Sequence, residues 1–321
     1  MGRYLLRRLG FALLLVFVVS SAALLLTRLA PGDFADIQCV DLPPDKCDAL
    51  RKSLGLDQSI LSQYLSWLGG VARFDFGRSL LYSRPVNALI GERALNTAVL
   101  AIFALIAATL IGIPLGIYTG TRRGLMRSLV RGLSLIGISV PPLIGSLALV
   151  FLAARTGWLP VGGMTSSGGM ELAWAAWFAD LARHVPLPAL ALAIPMAATL
   201  ERLQSEAIES ASRERFVAAS RARGVDRARS ILRHAWPVSL RPVLGLYGVM
   251  IGTLFSGSFV VEVVTSWPGL GRLMFDALKA RDLFLVAGCA ATGALFLAAG
   301  TLIADLLLAY TDPRVRSGER A

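Results

Sequence analysis

Six stretches of this chain contain no Asp, Glu, Lys or Arg: residues 9–27, 94–121, 132–154, 184–200, 242–261 and 283–304. A helix of about 20 apolar residues crosses a hydrocarbon core of roughly 30 Å, so the pattern predicts six membrane spans. The fourth is the shortest and holds Pro186, Pro188 and Pro195; it extends past Glu201 towards Gln204. Residues 172–179, with Trp174 and Trp177, are apolar but too short to cross. They read as an interfacial helix.

Between the first two spans lies a patterned polar segment, 31–93, too long for a plain linker. Residues 45–53 read as a short helix. Ile60, Leu61, Tyr64, Leu65 and Leu68 fall on one helical stripe. Pro85 suits the first turn of another helix, with Val86, Leu89 and Ile90 on one face. The segment is either a docking surface for a partner or a cap over the helix ends. Cys39 and Cys47 both lie in it, and in an oxidising compartment they can pair. The segment has no His, which disfavours a metal site. Cys289, in the last span, reads as a buried apolar residue.

Composition agrees with the pattern. Of 321 residues, 55% are hydrophobic and 17% charged, unlike a soluble domain. Basic residues fix an expected orientation, because short cytoplasmic loops are enriched in them. Arg3, Arg7 and Arg8 precede the first span; Arg122, Arg123, Arg127 and Arg131 follow the second; nine Arg lie between 202 and 241; Arg314, Arg316 and Arg320 close the chain. Both termini are therefore expected in the cytoplasm. The net charge of +11 needs no nucleic acid, since membrane lipid of anionic character accounts for it. Arg7-Arg8 before an apolar run imitates a signal peptide. That run is too long for one and no Ala-x-Ala site follows, so it reads as a retained helix.

Two absences narrow the chemistry. The expected spans hold no charge near their centres, where a proton-coupled carrier usually keeps one. No Lys follows a Gly, so there is no nucleotide-binding P-loop. The chain carries no recognisable means of energising a process by itself.

The polar segment 205–237 is the most informative. Residues 214–223 read as a helix, Gly224 as its left-handed C-terminal cap, and Asp226 as the N-cap of a second helix. That helix presents Ile231, Leu232, Ala235 and Trp236, and Pro237 is expected to limit it. Phe216, Ala218, Ala219 and Ser220 form a surface on which a partner can approach closely, with ordinary helix propensity as the alternative. In the membrane, Gly252, Thr253, Ser256, Gly257 and Ser258 give the fifth span a small, polar face, and Ser139 and Pro141 interrupt the third. A path along these residues and tight helix packing are both open readings.

The polar segment resembles the EAA loop of importer-type ABC permeases. Ala218-Ala219-Ser220 occupies its leading slots, and Gly224 and Pro237 fall at its spacing; Ala218, His234 and Trp236 depart from it. Residues 266–272, Ser-Trp-Pro-Gly-Leu-Gly-Arg, resemble a motif of the dipeptide/oligopeptide permeases. So do Ala30-Pro31-Gly32-Asp33, Gly55-Leu56-Asp57, residues 74–79 and 157–160, Asp305, Tyr310 and Asp312-Pro313-Arg314. The arrangement looks like the first permease of the pair in such an importer. Residues 139–143 and 162–183 depart from the pattern, which bears on substrate more than on fold.

The resemblance implies an all-α polytopic membrane protein with the type I ABC importer permease fold, a single transmembrane domain over 1–321. Its cytoplasmic coupling helix would use Phe216, Ala218, Ala219, Ser220, Gly224 and Pro237. It implies a multi-pass protein of the bacterial inner membrane that pairs with a second homologous permease, two ATP-binding subunits and a substrate-binding protein. ATP and Mg would be bound by the partners; this chain would hold no cofactor or metal and would not be an enzyme. The expected cargo is dipeptides or oligopeptides. A nickel chelate or other small solute on the same scaffold is the alternative, and a stand-alone channel or secondary carrier the more distant one. The expected path residues are Ser139, Pro141, Gly252, Ser256 and Ser258; Cys39 and Cys47 form the candidate disulfide.

Overall fold

Apart from one bridge between Arg78 and Pro85, the regular structure among the described residues is helical. The computed structural model describes residues 2–39, 43–166 and 174–311; side chains are described for all of these but 2–6, 255–256, 304–305 and 307–311. The helices are α1 (Gly2–Leu29), α2 (Phe34–Gln38), α3 (Pro44–Ser53), α4 (Ile60–Val71), α5 (Val86–Thr121), α6 (Leu125–Ser139), α7 (Pro142–Thr156), α8 (Trp174–His184), α9 (Pro186–Ala211), α10 (Arg215–Ala222), α11 (Arg227–Ser230), α12 (Trp236–Val264), α13 (Leu270–Lys279) and α14 (Leu283–Thr311). Four helices are long and apolar enough to cross a membrane. The number rises to six if α6 with α7, and α8 with α9, each form one bent span.

Several sequence boundaries shift. The helix expected to begin at Pro85 and the second span are one helix, α5, of 36 residues. That is about 54 Å, far longer than the hydrocarbon core. The third stretch is two helices bent by 107°. Pro141 and Pro142 cause the bend: each lacks an N–H, and each drives its predecessor out of helical geometry, as Val140 at ψ 115° records. Pro237 does not end the second helix of the polar segment. A π turn, Ile231–Ala235, widens the backbone there, and Pro237 falls in the first turn of α12, where no N–H is needed. The fifth helix therefore starts at Trp236 and runs through Pro242. The fourth reaches Ala211, which places Glu201 inside a helix and fully buried. The helix continues past Glu201 and Gln204, the direction of extension the sequence suggests, and both side chains are buried. Of the apolar stretch 172–179, residues 172 and 173 lie outside the description; α8 covers the rest, with Trp174 exposed. Also outside it are the side chains of Arg3, Asp305 and Tyr310, and everything from Asp312 onward, including Arg314, Arg316 and Arg320.

The chain divides into two units. The first comprises Met1–Ala98 and Pro268–Ala299. In it, α5 begins with Val86, Leu89 and Ile90 packed on Leu285, Val286 and Cys289 of α14. Gly288 permits the approach: a Cβ there would lie 2.6 Å from Val86 and 2.8 Å from Ile90. Asp282 N-caps α14 while accepting from Ser79 Oγ at 2.6 Å and the Leu81 amide at 3.0 Å. The Leu285 amide, at 3.2 Å, completes its shell. Cys39 and Cys47 are joined by a disulfide between the end of α2 and α3. The stripe on α4 is rotated from its expected face. Gln63 and Trp67 are buried, while Ile60, Leu61 and Leu65 are exposed. The inward Gln63 amide donates to the carbonyls of Gly55 and Gln58, which fixes the rotation.

The second unit comprises Val99–Trp267 and Gly300–Ala321. Its centre is α9, which packs against α6, α7 and α12. On α5, Gly112, Gly116 and Gly120 form a stripe at helical spacing that seats the α9 backbone; a Cβ on Gly116 would lie 2.7 Å from the Glu201 carbonyl. Small residues at i, i+4 and i+8 let membrane helices approach this closely. Gly137 on α6 does the same against Ala198, at 3.2 Å.

Candidate functional site

Two places in the second unit combine exposure with specific chemistry. The first is a cleft of about 240 Å³ between α7, α9 and α12. Pro142 opens α7 at its edge; Leu192, Pro195, Met196 and Thr199 come from α9; Leu246, Val249, Met250, Thr253, Leu254 and Gly257 come from α12. No charged side chain lines it. Its two hydroxyls are occupied by their own helices: Thr199 donates to the Pro195 carbonyl at 2.8 Å and Thr253 to that of Met250 at 2.9 Å. The wall thus offers methyl groups and adaptable thioethers, a surface that holds no single ligand strongly.

The expected path residues sit around this cleft more than in it. Ser139 and Pro141 flank the bend that positions Pro142, and Ser139 donates to its own helix at the Leu135 carbonyl. Gly252 is off the cleft wall, and Ser258 is buried at 2% exposure. The Ser256 side chain lies outside the description. Thr253 and Gly257, from the same small face, do line the wall. The α9 contribution was missed. Pro195 and Thr199 recur at one-turn spacing, a signal that was present but masked by the apolar run around them.

The second place is the polar segment. α10 is followed by Gly224 at φ +85°, then by α11, whose N-cap Asp226 accepts from the Ala228 amide at 2.9 Å. Val217, together with Ile208 and Ala211 of α9 and Ala235 of the π turn, makes a small core that fastens α10 to its own unit. Ser220 is buried at 1% exposure, and its hydroxyl has no hydrogen-bond partner. Phe216, Ala218 and Ala219 face outward, and Pro237 is also exposed. The outward face is therefore an aromatic beside two small residues. Glu209 at the end of α9 receives Arg127 at 2.9 Å, Arg213 at 2.7 Å and Arg131 at 3.6 Å. That network braces α6 against the base of α10.

The polar side chains beside Gly116 were also missed. Thr119 donates to Glu201, and Gln204 donates to Ser239 at 2.8 Å. Two oxygens of this cluster, Glu201 Oε2 and Gln204 Oε1, are buried without a hydrogen-bond partner. Among the described residues no group of His, Cys, Asp and Glu is arranged to hold a metal.

The motif at 266–272 has structural roles. In the second unit Trp267 is fully buried, and its amide donates to the Glu262 carbonyl at 2.9 Å. In the first unit the Pro268 carbonyl accepts from Asn96, and the Leu270 amide donates to Thr97 at the start of α13.

Comparison with known proteins joins these features. Residues 112–317 match the family described as "Binding-protein-dependent transport system inner membrane component", and residues 1–98 match its companion N-terminal region. The chain is 32% identical over 337 residues to the dipeptide transport system permease protein DppB of Escherichia coli (strain K12), covering 98% of this chain and 99% of that protein. It is 31% identical over 320 residues to the protein of the same name in Lactococcus lactis subsp. cremoris, covering 98% of this chain and all of the relative. A match over more than half the chain, with identity along nearly all of it, fixes the family: the chain belongs to the binding-protein-dependent transport system inner membrane components, pore subunits rather than enzymes.

Proposed function

We propose that this chain is the permease subunit of an ATP-driven importer that moves dipeptides or oligopeptides. In this reading it crosses the inner membrane six times, with the bent pairs counted as single spans and both termini in the cytoplasm. A substrate-binding protein delivers cargo to the outer side. A second permease completes the pore, and two ATPases carrying ATP and Mg dock beneath.

One observation carries the coupling part. α10 presents Phe216, Ala218 and Ala219 outward while Val217 fastens it to Ile208 and Ala211 of α9. An ATPase that moves α10 therefore moves α9, which lines the cleft through Leu192, Pro195, Met196 and Thr199. The uncharged wall supports the peptide reading, because peptides share a backbone but differ in side chains. A wall without fixed charges or free donors discriminates little among them. The translocation path is assigned to this cleft and to the bend at Ser139 and Pro141.

The test is reconstitution of the chain with its second permease, ATPases and binding protein, with cargo identified by mass spectrometry. Ala219→Trp places a large side chain on the docking face, and Gly224→Val forces a β-branched residue into positive φ. Both variants are expected to insert and pair, yet to lose transport and the stimulation of ATP hydrolysis by loaded binding protein. Normal transport in both would remove the coupling assignment.

A further inference from the structure

Beside α10 lies a pocket of about 190 Å³ whose lining includes six arginines, Arg122, Arg123, Arg127, Arg213, Arg221 and Arg227. One carboxylate, Glu209, is the acidic side chain in its wall, and it is already shared among Arg127, Arg131 and Arg213. Arg227 is aimed by its bond to the Thr121 carbonyl at 3.0 Å. Among the described residues Arg122, Arg123 and Arg221 have no carboxylate partner. All six arginines but Arg127 are exposed, so the cluster presents a basic surface that an anion can neutralise.

The surroundings identify the kind of anion. A second pocket of about 400 Å³ shares Thr121, Arg122, Arg227 and Ile231 with the first; its other lining residues are the apolar Ile117, Ala228 and Leu232 and one carboxylate, Asp226, which already accepts from the Ala228 amide at 2.9 Å. Arg122 and Arg123 follow directly on the charge-free run 94–121 that ends α5, the juxtamembrane position at which basic clusters meet anionic lipid. Immediately past Arg122 and Arg123, α6 exposes Leu125, Met126 and Leu129, at 78%, 57% and 51%. A phosphate site that opens onto an apolar face fits an amphiphile better than a soluble ion or an acidic protein segment.

We infer that this pocket binds the phosphate of an anionic phospholipid, with its acyl chains along the exposed face of α6. Guanidinium groups suit phosphate because they donate in paired, planar geometry. Val217 and Arg221 of α10 line the same pocket, so a bound lipid also braces that helix. The inference needs only the membrane location, not the coupling role of α10, so the two fail separately.

The full-length chain, purified in mild detergent, is titrated with phosphatidylglycerol and with phosphatidylcholine, and bound lipid is read by native mass spectrometry. Wild type should prefer phosphatidylglycerol. Arg122→Gln with Arg123→Gln should weaken that binding about 25-fold, since each basic residue at an anionic surface contributes roughly a factor of five. Arg122→Lys with Arg123→Lys should keep most of it. Undiminished binding in the Gln variant overturns the site. Should the Gln variant misfold, competition on wild type decides: displacement of the lipid by excess inorganic phosphate assigns the pocket to a soluble phosphate and overturns the lipid. Retention of phosphatidylglycerol against excess phosphate supports the proposal.

Discussion

Asp282 in the first unit and Glu201 in the second are both buried to zero exposure, but they are held in opposite ways. Asp282 accepts from a hydroxyl and two backbone amides, and so ties the 79–81 loop to the start of α14. Glu201 has one oxygen on Thr119 and the other unpartnered, beside Gln204, which also has an unpartnered oxygen. A buried carboxylate with a full set of donors is a fixed anchor. One with an open oxygen sits in a place that gains little from staying as it is. The satisfied group lies in the unit with the disulfide and the capped loops, the unsatisfied one in the unit with the cleft and α10. The first unit thus holds a fully bonded buried carboxylate and the second one with bonding capacity to spare.

The sharpest way to break this contrast is to jam the second unit. Gly116→Leu would drive a side chain into the Glu201 carbonyl and the Gln204 Cβ, at 2.7 and 2.6 Å from a mere Cβ. Backbone cannot yield there, so the variant should fail to accumulate in the membrane. Near-normal accumulation with an intact melting profile would mean that α5 and α9 are not in contact at Gly116. Next in size is Asp282→Ala in the first unit, which leaves the Ser79 hydroxyl and two amides without their acceptor. A loss of about 3 kcal/mol or more is expected. It is read as a drop in unfolding temperature, and a shift no larger than that of a surface substitution would refute the anchor role.

The disulfide gives a smaller effect. Cys39→Ser with Cys47→Ser opens a loop of sequence separation 8, which costs at most about 2.5 kcal/mol in the chain-entropy model. Because the bond lies in the first unit, the opened variant should become more sensitive to proteolysis within residues 31–60 while α10 stays protected. Thiol labelling of unreduced, denatured wild type should modify Cys289 alone. Labelling of all three cysteines would show that the bond does not form in the cell.

How much of this was legible depends on the range of the signal. Gly224, Asp226 and the bend at Pro141 and Pro142 were readable because backbone geometry and capping are local. The family resemblance was readable in part for the same reason, since several of its motifs, such as 266–269, sit between helices. The faces of the apolar helices were not. On α4, Leu61 and Leu65 point outward and Gln63 inward because a glutamine amide found the carbonyls of Gly55 and Gln58, a tertiary event that no periodicity encodes. Ser220 is likewise buried, between the exposed Ala219 and Arg221. The π turn itself was hidden because a proline normally signals a stop, and here the backbone widened to admit it. The stripe Gly112, Gly116 and Gly120 was visible in the sequence and would have located the α5–α9 contact, and with it the burial of Glu201.

The smallest expected effect is also the most discriminating. Glu201→Gln keeps an acceptor for Thr119 and exchanges the unpartnered oxygen for an amide that donates, next to the equally unpartnered Gln204 Oε1. If the open oxygen is a mere packing residue, the substitution removes a buried charge and supplies a missing donor. Stability should then stay level or rise by about 1 kcal/mol, and transport should be unchanged. If the open oxygen marks a place that rearranges during transport, stability should still hold or rise, but turnover should fall because the resting arrangement is now the better-bonded one. Asp282→Asn supplies the contrast. There all the partners are donors, so the new amide faces amides and a hydroxyl and must lose at least one bond, and stability should fall. Unfolding temperature and transport rate measured together on both variants separate these outcomes. A Glu201→Gln protein that is less stable than wild type would show that the open oxygen has a donor after all, and that the two buried carboxylates are alike.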